Sequence, residues 1–118
     1  MAKKHNRVVA IIPCNDLDKS EIFYCKLGFK RDGWDDGYRI MVDGGGAEIH
    51  LQAAVKGWLI SGRNPFCIYY TTQNVEELAA FFGKKPEEKE WAMYEFSISD
   101  PDGTLVRIGW PIRLMEKK

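Results

Sequence analysis

The chain has 118 residues, which suits one domain. Its 17 Lys and Arg balance 17 Asp and Glu, which argues against a nucleic-acid partner, because such proteins carry a basic excess. No apolar run approaches the ~18 residues of a membrane span, and the N-terminus lacks the apolar core of a signal peptide. Cys14, Cys25 and Cys67 form no CxxC pair, so neither a disulfide framework nor a thiolate zinc site is expected, and a cytoplasmic location is. The basic ends (Lys3, Lys4, Lys117, Lys118) read as solvated, frayed termini.

Residues 7–14 are rich in β-branched side chains and predict a strand. Asn15 and Asp16 are candidate N-caps for a helix with Asp18 and Glu21 in its acidic first turn, and Gly28 ends it. Residues 29–34, 38–42 and 47–52 then predict three strands, joined by Asp35-Asp36-Gly37 and Asp43-Gly44-Gly45-Gly46 turns. A linker at 53–65 follows, and the order restarts. Residues 66–72 predict a strand. Residues 74–82 predict a helix with Asn74 as N-cap and Glu77 completing a capping box. Residues 91–99 and 104–110 predict a hairpin around Asp100-Pro101-Asp102-Gly103. The fold class is therefore α+β, as two βαβββ modules (about 7–52 and 66–112), the second shortened at 84–91.

Alternation along each strand separates a helix-covered face from an outward one, expected to form a concave surface. In the last hairpin, pairing Phe96 with Ile108 and Ile98 with Val106 gathers the apolar set. Glu95, Ser97, Leu105 and Arg107 then face outward, whereas a one-residue slip would place Glu95 and Ser97 in the core. Glu48, His50 and Gln52 share an outward face, as do Cys67, Tyr69 and Thr71. The mixture of aromatic and polar groups suits a ligand groove, although a dimer-buried sheet face would show the same pattern. Trp34, Tyr38, Tyr69 and Trp91 are candidate aromatic walls, with Glu48, Glu95 and Asp36 as nearby acids. Packing or a dimer contact is the favoured reading of Trp58. His50 is equally a ligand contact or a packed residue. Cys67 reads as a buried, inert thiol. Arg107 either pairs with Glu95 across the hairpin, the preferred reading, or meets an anionic ligand group.

Asn15-Asp16-Leu17 followed by Phe23-Tyr24-Cys25-Lys26-Leu27-Gly28-Phe29 resembles the first-helix signature of the vicinal oxygen chelate family, in its bleomycin-resistance branch. Residues 100–108, from Asp100-Pro101-Asp102-Gly103 to Arg107-Ile108, resemble that branch's late DPDG word with its arginine. Glu90-Trp91 and Asp36-Gly37-Tyr38 add to the likeness. The resemblance covers roughly 7–114. It implies a homodimer with grooves formed between modules of two subunits and the N-terminal strand exchanged. It also implies sequestration of a bleomycin-like or other aromatic drug without chemistry or cofactor.

The family's metal-ligand positions fall on Val9, His50, Cys67 and Arg107. An aliphatic side chain and a permanent cation at two of them are at odds with a site needing about three N, O or S donors. The resemblance thus implies ligand contacts at Trp34, Tyr38, Glu48, His50, Tyr69, Trp91, Glu95 and Arg107, with no catalytic or metal residue. The rivals are a metal-dependent or His50-based enzyme of the same fold, a binding module for another aromatic small molecule, and a domain whose sheet buries against another protein. A neutral charge and the shortened stretch at 84–91 distinguish this chain from the acidic resistance proteins.

Overall fold

The computed structural model describes Lys4 and residues 6–115. Lys3, Lys117 and Lys118, read as frayed from the sequence, lie outside the described residues. The chain divides after Leu59 into two compact units. No helix among the described residues is long and apolar enough to cross a membrane.

The first unit holds β1 (Ala10–Cys14), α1 (Leu17–Lys26), β2 (Lys30–Asp35), β3 (Tyr38–Val42) and β4 (Glu48–Ala53). Its sheet has the order β1-β4-β3-β2, with β1 parallel to β4 and the other pairs antiparallel. The first strand begins later than the β-branched run suggested, because residues 6–9 pair with no strand. The cap of α1 is as expected: Asp16 Oδ1 accepts from the Lys19 backbone N–H at 3.1 Å. Gly28 takes φ +104°, a conformation that ends the helix and suits a residue without Cβ.

Ile12, Cys14, Tyr24, Leu27, Phe29, Met41, Ile49 and Leu51 are buried, and α1 packs on β2 and β4. The acids of the first turn do more than suit the helix dipole. Glu21 accepts from both Arg31 and Arg39, and Asp18 accepts from Arg39, so α1 is clamped to β2 and β3.

The second unit repeats the plan with β5 (Cys67–Thr71), α2 (Val75–Phe81), β6 (Glu87–Glu88), β7 (Met93–Ser99) and β8 (Leu105–Pro111), in the order β5-β8-β7-β6. The shortened stretch still supplies a strand, since Glu87 and Glu88 pair with Glu95 and Tyr94. The hairpin register is the one the apolar pattern requires, with Phe96 opposite Ile108 and Ile98 opposite Val106. All four are buried, as are Val75 and Ala79 of α2.

The expected capping box does not form, because Asn74 makes no side-chain cap bond. Its backbone N–H donates instead to Thr72 Oγ1 at 3.2 Å, and that turn competes with the cap geometry.

Both units close the turn before their last strand with the same device. Asp43 Oδ1 accepts from the N–H groups of Gly45 and Ala47, and Asp100 Oδ1 from those of Asp102 and Thr104. A short carboxylate reaching its own backbone two and four residues on is what makes Asp a turn residue.

Candidate functional site

Each sheet has one face covered by its helix and one facing outward. On the first unit's outward face, His50 lies opposite Ile11 of β1 and Ile40 of β3, and Gln52 lies opposite Tyr38. The Tyr38 hydroxyl and His50 Nδ1 are 2.5 Å apart, and His50 Nε2 is 2.6 Å from Glu48 Oε2. Arg7 donates to the other Glu48 oxygen at 2.6 Å. The His50 bond and then Arg7 hold the Glu48 carboxyl below its usual range, so it is ionised and accepts only. Nε2 is therefore the donor to Glu48, and in the singly protonated ring Nδ1 is left to accept the tyrosine O–H.

The second unit builds a different cluster on the equivalent face. Glu95 of β7 lies opposite Gly109 of β8, and Tyr69 of β5 lies opposite Arg107. Glu95 Oε1 accepts from the Tyr69 hydroxyl at 2.8 Å and from Trp91 Nε1 at 2.7 Å. The carboxylate is only 4% exposed, whereas Trp91 is 55% and Tyr69 40% exposed, so two half-open rings stand over a buried acid. Burial, and then the Glu95 bond, push the Tyr69 phenol above the ordinary tyrosine range, keeping it a donor. Glu95 forms no ion pair among the described residues. An open pocket of about 190 Å³ beside it is lined by Lys84, Lys85, Lys89 and Glu87, and Lys89 pairs with Glu87.

Two residues that the sequence reading did not single out make this cluster possible. A Cβ at Gly109 would lie 2.5 Å from the Tyr69 hydroxyl and 2.8 Å from Glu95 Cβ, so the bridge across β8 needs a glycine. A glycine inside a strand is the signal that could have revealed it. Ala92 takes φ +64°, an uncommon conformation for a residue with Cβ, in the turn that carries Trp91 just before β7.

Several expectations are corrected. Arg107 does not pair with Glu95, whose Oε1 is engaged by Tyr69 and Trp91, and it forms no ion pair among the described residues. Glu95 is buried rather than open on its face, because the two rings cover it. Cys67 is an exposed thiol, since it begins β5 on the outward side. Trp34 does not join Tyr38 and His50. It lies opposite Arg39, which lies opposite Leu51, so it belongs to the helix-side face, 67% exposed at the edge strand, with the Arg31 guanidinium over its ring at 5.8 Å. Trp58 is 81% exposed, which overturns packing within the chain but not a dimer contact. Tyr38, Glu48 and His50 are brought together in one unit, and Tyr69, Trp91 and Glu95 in the other.

A bleomycin-binding protein complexed with bleomycin superimposes with a TM-score of 0.77 at 22% identity, over 90% of this chain and 98% of that one. A bleomycin resistance determinant encoded on the transposon Tn5 gives 0.77 and 22%, over 91% and 98%. The chain has their fold. A glyoxalase/bleomycin resistance/dioxygenase protein from Nocardioides follows the same architecture, with a TM-score of 0.69 at 13% identity over 100% and 91%. No family model and no curated protein sequence matches.

The shared fold allows the metal-ligand positions to be tested on their chemistry. Val9 offers no donor and Arg107 is a permanent cation. Among the described residues no three His, Cys, Asp or Glu side chains are grouped so as to hold a metal ion. The described residues do not group a donor set that fits a metal centre.

Proposed function

We propose that the chain binds a bleomycin-like aromatic drug and sequesters it unchanged, conferring resistance, and that it does so as a homodimer in the cytoplasm. The observation that carries this reading is the Glu95 carboxylate, buried without an ion-pair partner among the described residues and flanked by the half-open rings of Trp91 and Tyr69. A buried carboxylate that lacks a counter-cation favours a cationic guest, and aromatic faces add stacking and cation–π attraction. Tyr38, Glu48 and His50 are ligand contacts of the first unit, and Arg107 adds a cation for an acidic part of the guest. Trp34 is assigned to the rim.

The bleomycin bound by a neighbour of the same fold supports the choice of drug. In the dimer, β1 is exchanged: its parallel pairing with β4 is then made with the partner's copy in the same register. The whole chain, 1–118, acts as one ligand-binding domain. Among the described residues no donor set fits a metal, which supports binding over metal-assisted transformation.

A titration with metal-free and copper-loaded bleomycin, read by tryptophan fluorescence, tests the reading. Saturable quenching with one-to-one stoichiometry per chain and unchanged drug on recovery are expected. No spectral change at micromolar drug, or recovery of a modified drug, would overturn it.

A further inference from the structure

The chain of bonds in the first unit has a direction, and the direction specifies what it can recognise. Glu48 is ionised and accepts from His50 Nε2–H and from Arg7. In the Nε2–H form of the ring, Nδ1 holds a lone pair, and the Tyr38 hydroxyl is placed to donate to it. The ring is fixed in this pose by its edge-on contact with Tyr38, centroids 5.2 Å apart and planes at 76°. In that form the phenol proton is committed inward. What the Tyr38 oxygen can still offer to a molecule on this face is its lone pairs.

We propose that His50 rests in its Nε2–H form and that the outward face of the first unit is then a recognition point for N–H donors, in which the Tyr38 oxygen accepts from an amide, amidine or ammonium group of the bound molecule. Tyr38 is part-buried, not sealed. The Glu48 charge behind the ring strengthens the acceptor through the imidazole, since hydrogen bonds in a chain polarise one another. An acceptor-only group, such as a carboxylate, would face lone pairs there and be repelled. In this recognition His50 is a positioning residue, because it acts through the Tyr38 hydroxyl. This inference rests on the reading that the outward faces hold ligand, but not on that ligand being bleomycin.

The test uses the full chain with two small aromatic probes, benzamidine as an N–H donor and benzoate as an acceptor, followed by NMR of the His50 and Tyr38 rings in isotope-labelled protein. Three results are expected. The imidazole nitrogens report a neutral ring with its proton on Nε2. Benzamidine shifts the His50 ring saturably, and benzoate does not. Tyr38→Phe weakens benzamidine by about tenfold to a hundredfold, the worth of one hydrogen bond from a charged donor, while keeping Glu48 and so any plain charge attraction.

In Glu48→Gln the Nε2–H form loses its ionised partner, and the ring should populate both tautomers with a matching fall in the preference for benzamidine. A proton on Nδ1 in the wild-type chain, equal binding of benzoate, or unaltered benzamidine affinity in Tyr38→Phe would each overturn the inference. If benzamidine behaves as expected while bleomycin fails to bind, the drug assignment falls and the donor site stands.

Discussion

His50 of the first unit and Arg107 of the second occupy one place in a shared plan. Each sits on the last strand of its unit, between Ile11 and Ile40 in one case and Tyr69 and Ser97 in the other. One step along, Tyr38 faces Gln52 where Glu95 faces Gly109. The backbone pairings are the same and the chemistry is not. With a side chain at 52, the polar cluster of the first unit links β3 to β4, from Tyr38 through His50 to Glu48. With none at 109, the second unit's cluster crosses over β8, and Tyr69 reaches Glu95 directly. The bridge across a strand needs both the missing side chain at Gly109 and the hydroxyl of Tyr69, and the first unit has Gln52 and Ile11 at those places.

The most damaging way to break this comparison is to give the second unit the side chain it lacks. Gly109→Ala should destabilise the protein by about 1–3 kcal/mol, as overpacking does, because the new Cβ meets the Tyr69 hydroxyl, Glu95 Cβ and, at 3.2 Å, the Tyr94 carbonyl. Gln52→Ala, at an exposed position, should stay within about 0.5 kcal/mol of wild type in the same urea titrations.

The shared turn device sharpens the contrast. Asp100 is buried and Asp43 half-buried, so Asp100→Ala leaves its two backbone N–H groups without a partner where water is scarcer. It should cost about 1–3 kcal/mol, and Asp43→Ala should cost clearly less in the same assay.

For the guest, Glu95→Gln keeps an acceptor for Tyr69 and Trp91 but removes the charge. Bleomycin affinity should fall about tenfold, or about 1.4 kcal/mol, with little change in fold by circular dichroism. Helix caps give a smaller difference. Asp16→Ala should cost about 1 kcal/mol, since Asp16 caps α1, while Asn74→Ala removes no cap bond and should cost much less by thermal melting.

The smallest effect lies in alkali. The Tyr94 phenol, bonded first of all to Glu76 and also partly buried, is pushed up to about 12. A phenol raised in the folded state contributes stability in full below the unfolded tyrosine value of about 10. That contribution is lost as pH rises from there toward about 12. Tyr94→Phe should therefore flatten the fall in stability over that window and remove one late step from the phenolate absorbance titration.

Much of the fold is legible in the residues. Period-two alternation with β-branched side chains marks the strands, Asp16 and Gly28 bracket the first helix, and Asp43 and Asp100 mark the turns. Register in the last hairpin follows because a slip would expose Phe96, Ile98, Val106 and Ile108. What misled was local chemistry that has two outlets. Asn74 can cap a helix, but a neighbouring Thr72 hydroxyl takes its backbone N–H instead. Glu95 and Arg107 carry opposite charges on one face, yet the phenol and indole donors are better placed than the guanidinium.

The sequence by itself determined the two βαβββ modules, the outward faces of β4, β5, β7 and β8, and the lack of metal donors at Val9 and Arg107. These depend on short-range periodicity and on side-chain chemistry that no fold can alter. Only the tertiary structure decided which outward groups meet. The Tyr38–His50–Glu48–Arg7 line and the Tyr69–Glu95–Trp91 bridge join residues from different strands and turns, and hydrogen bonds act over about 3 Å. A spacing written along the chain does not encode that distance across it.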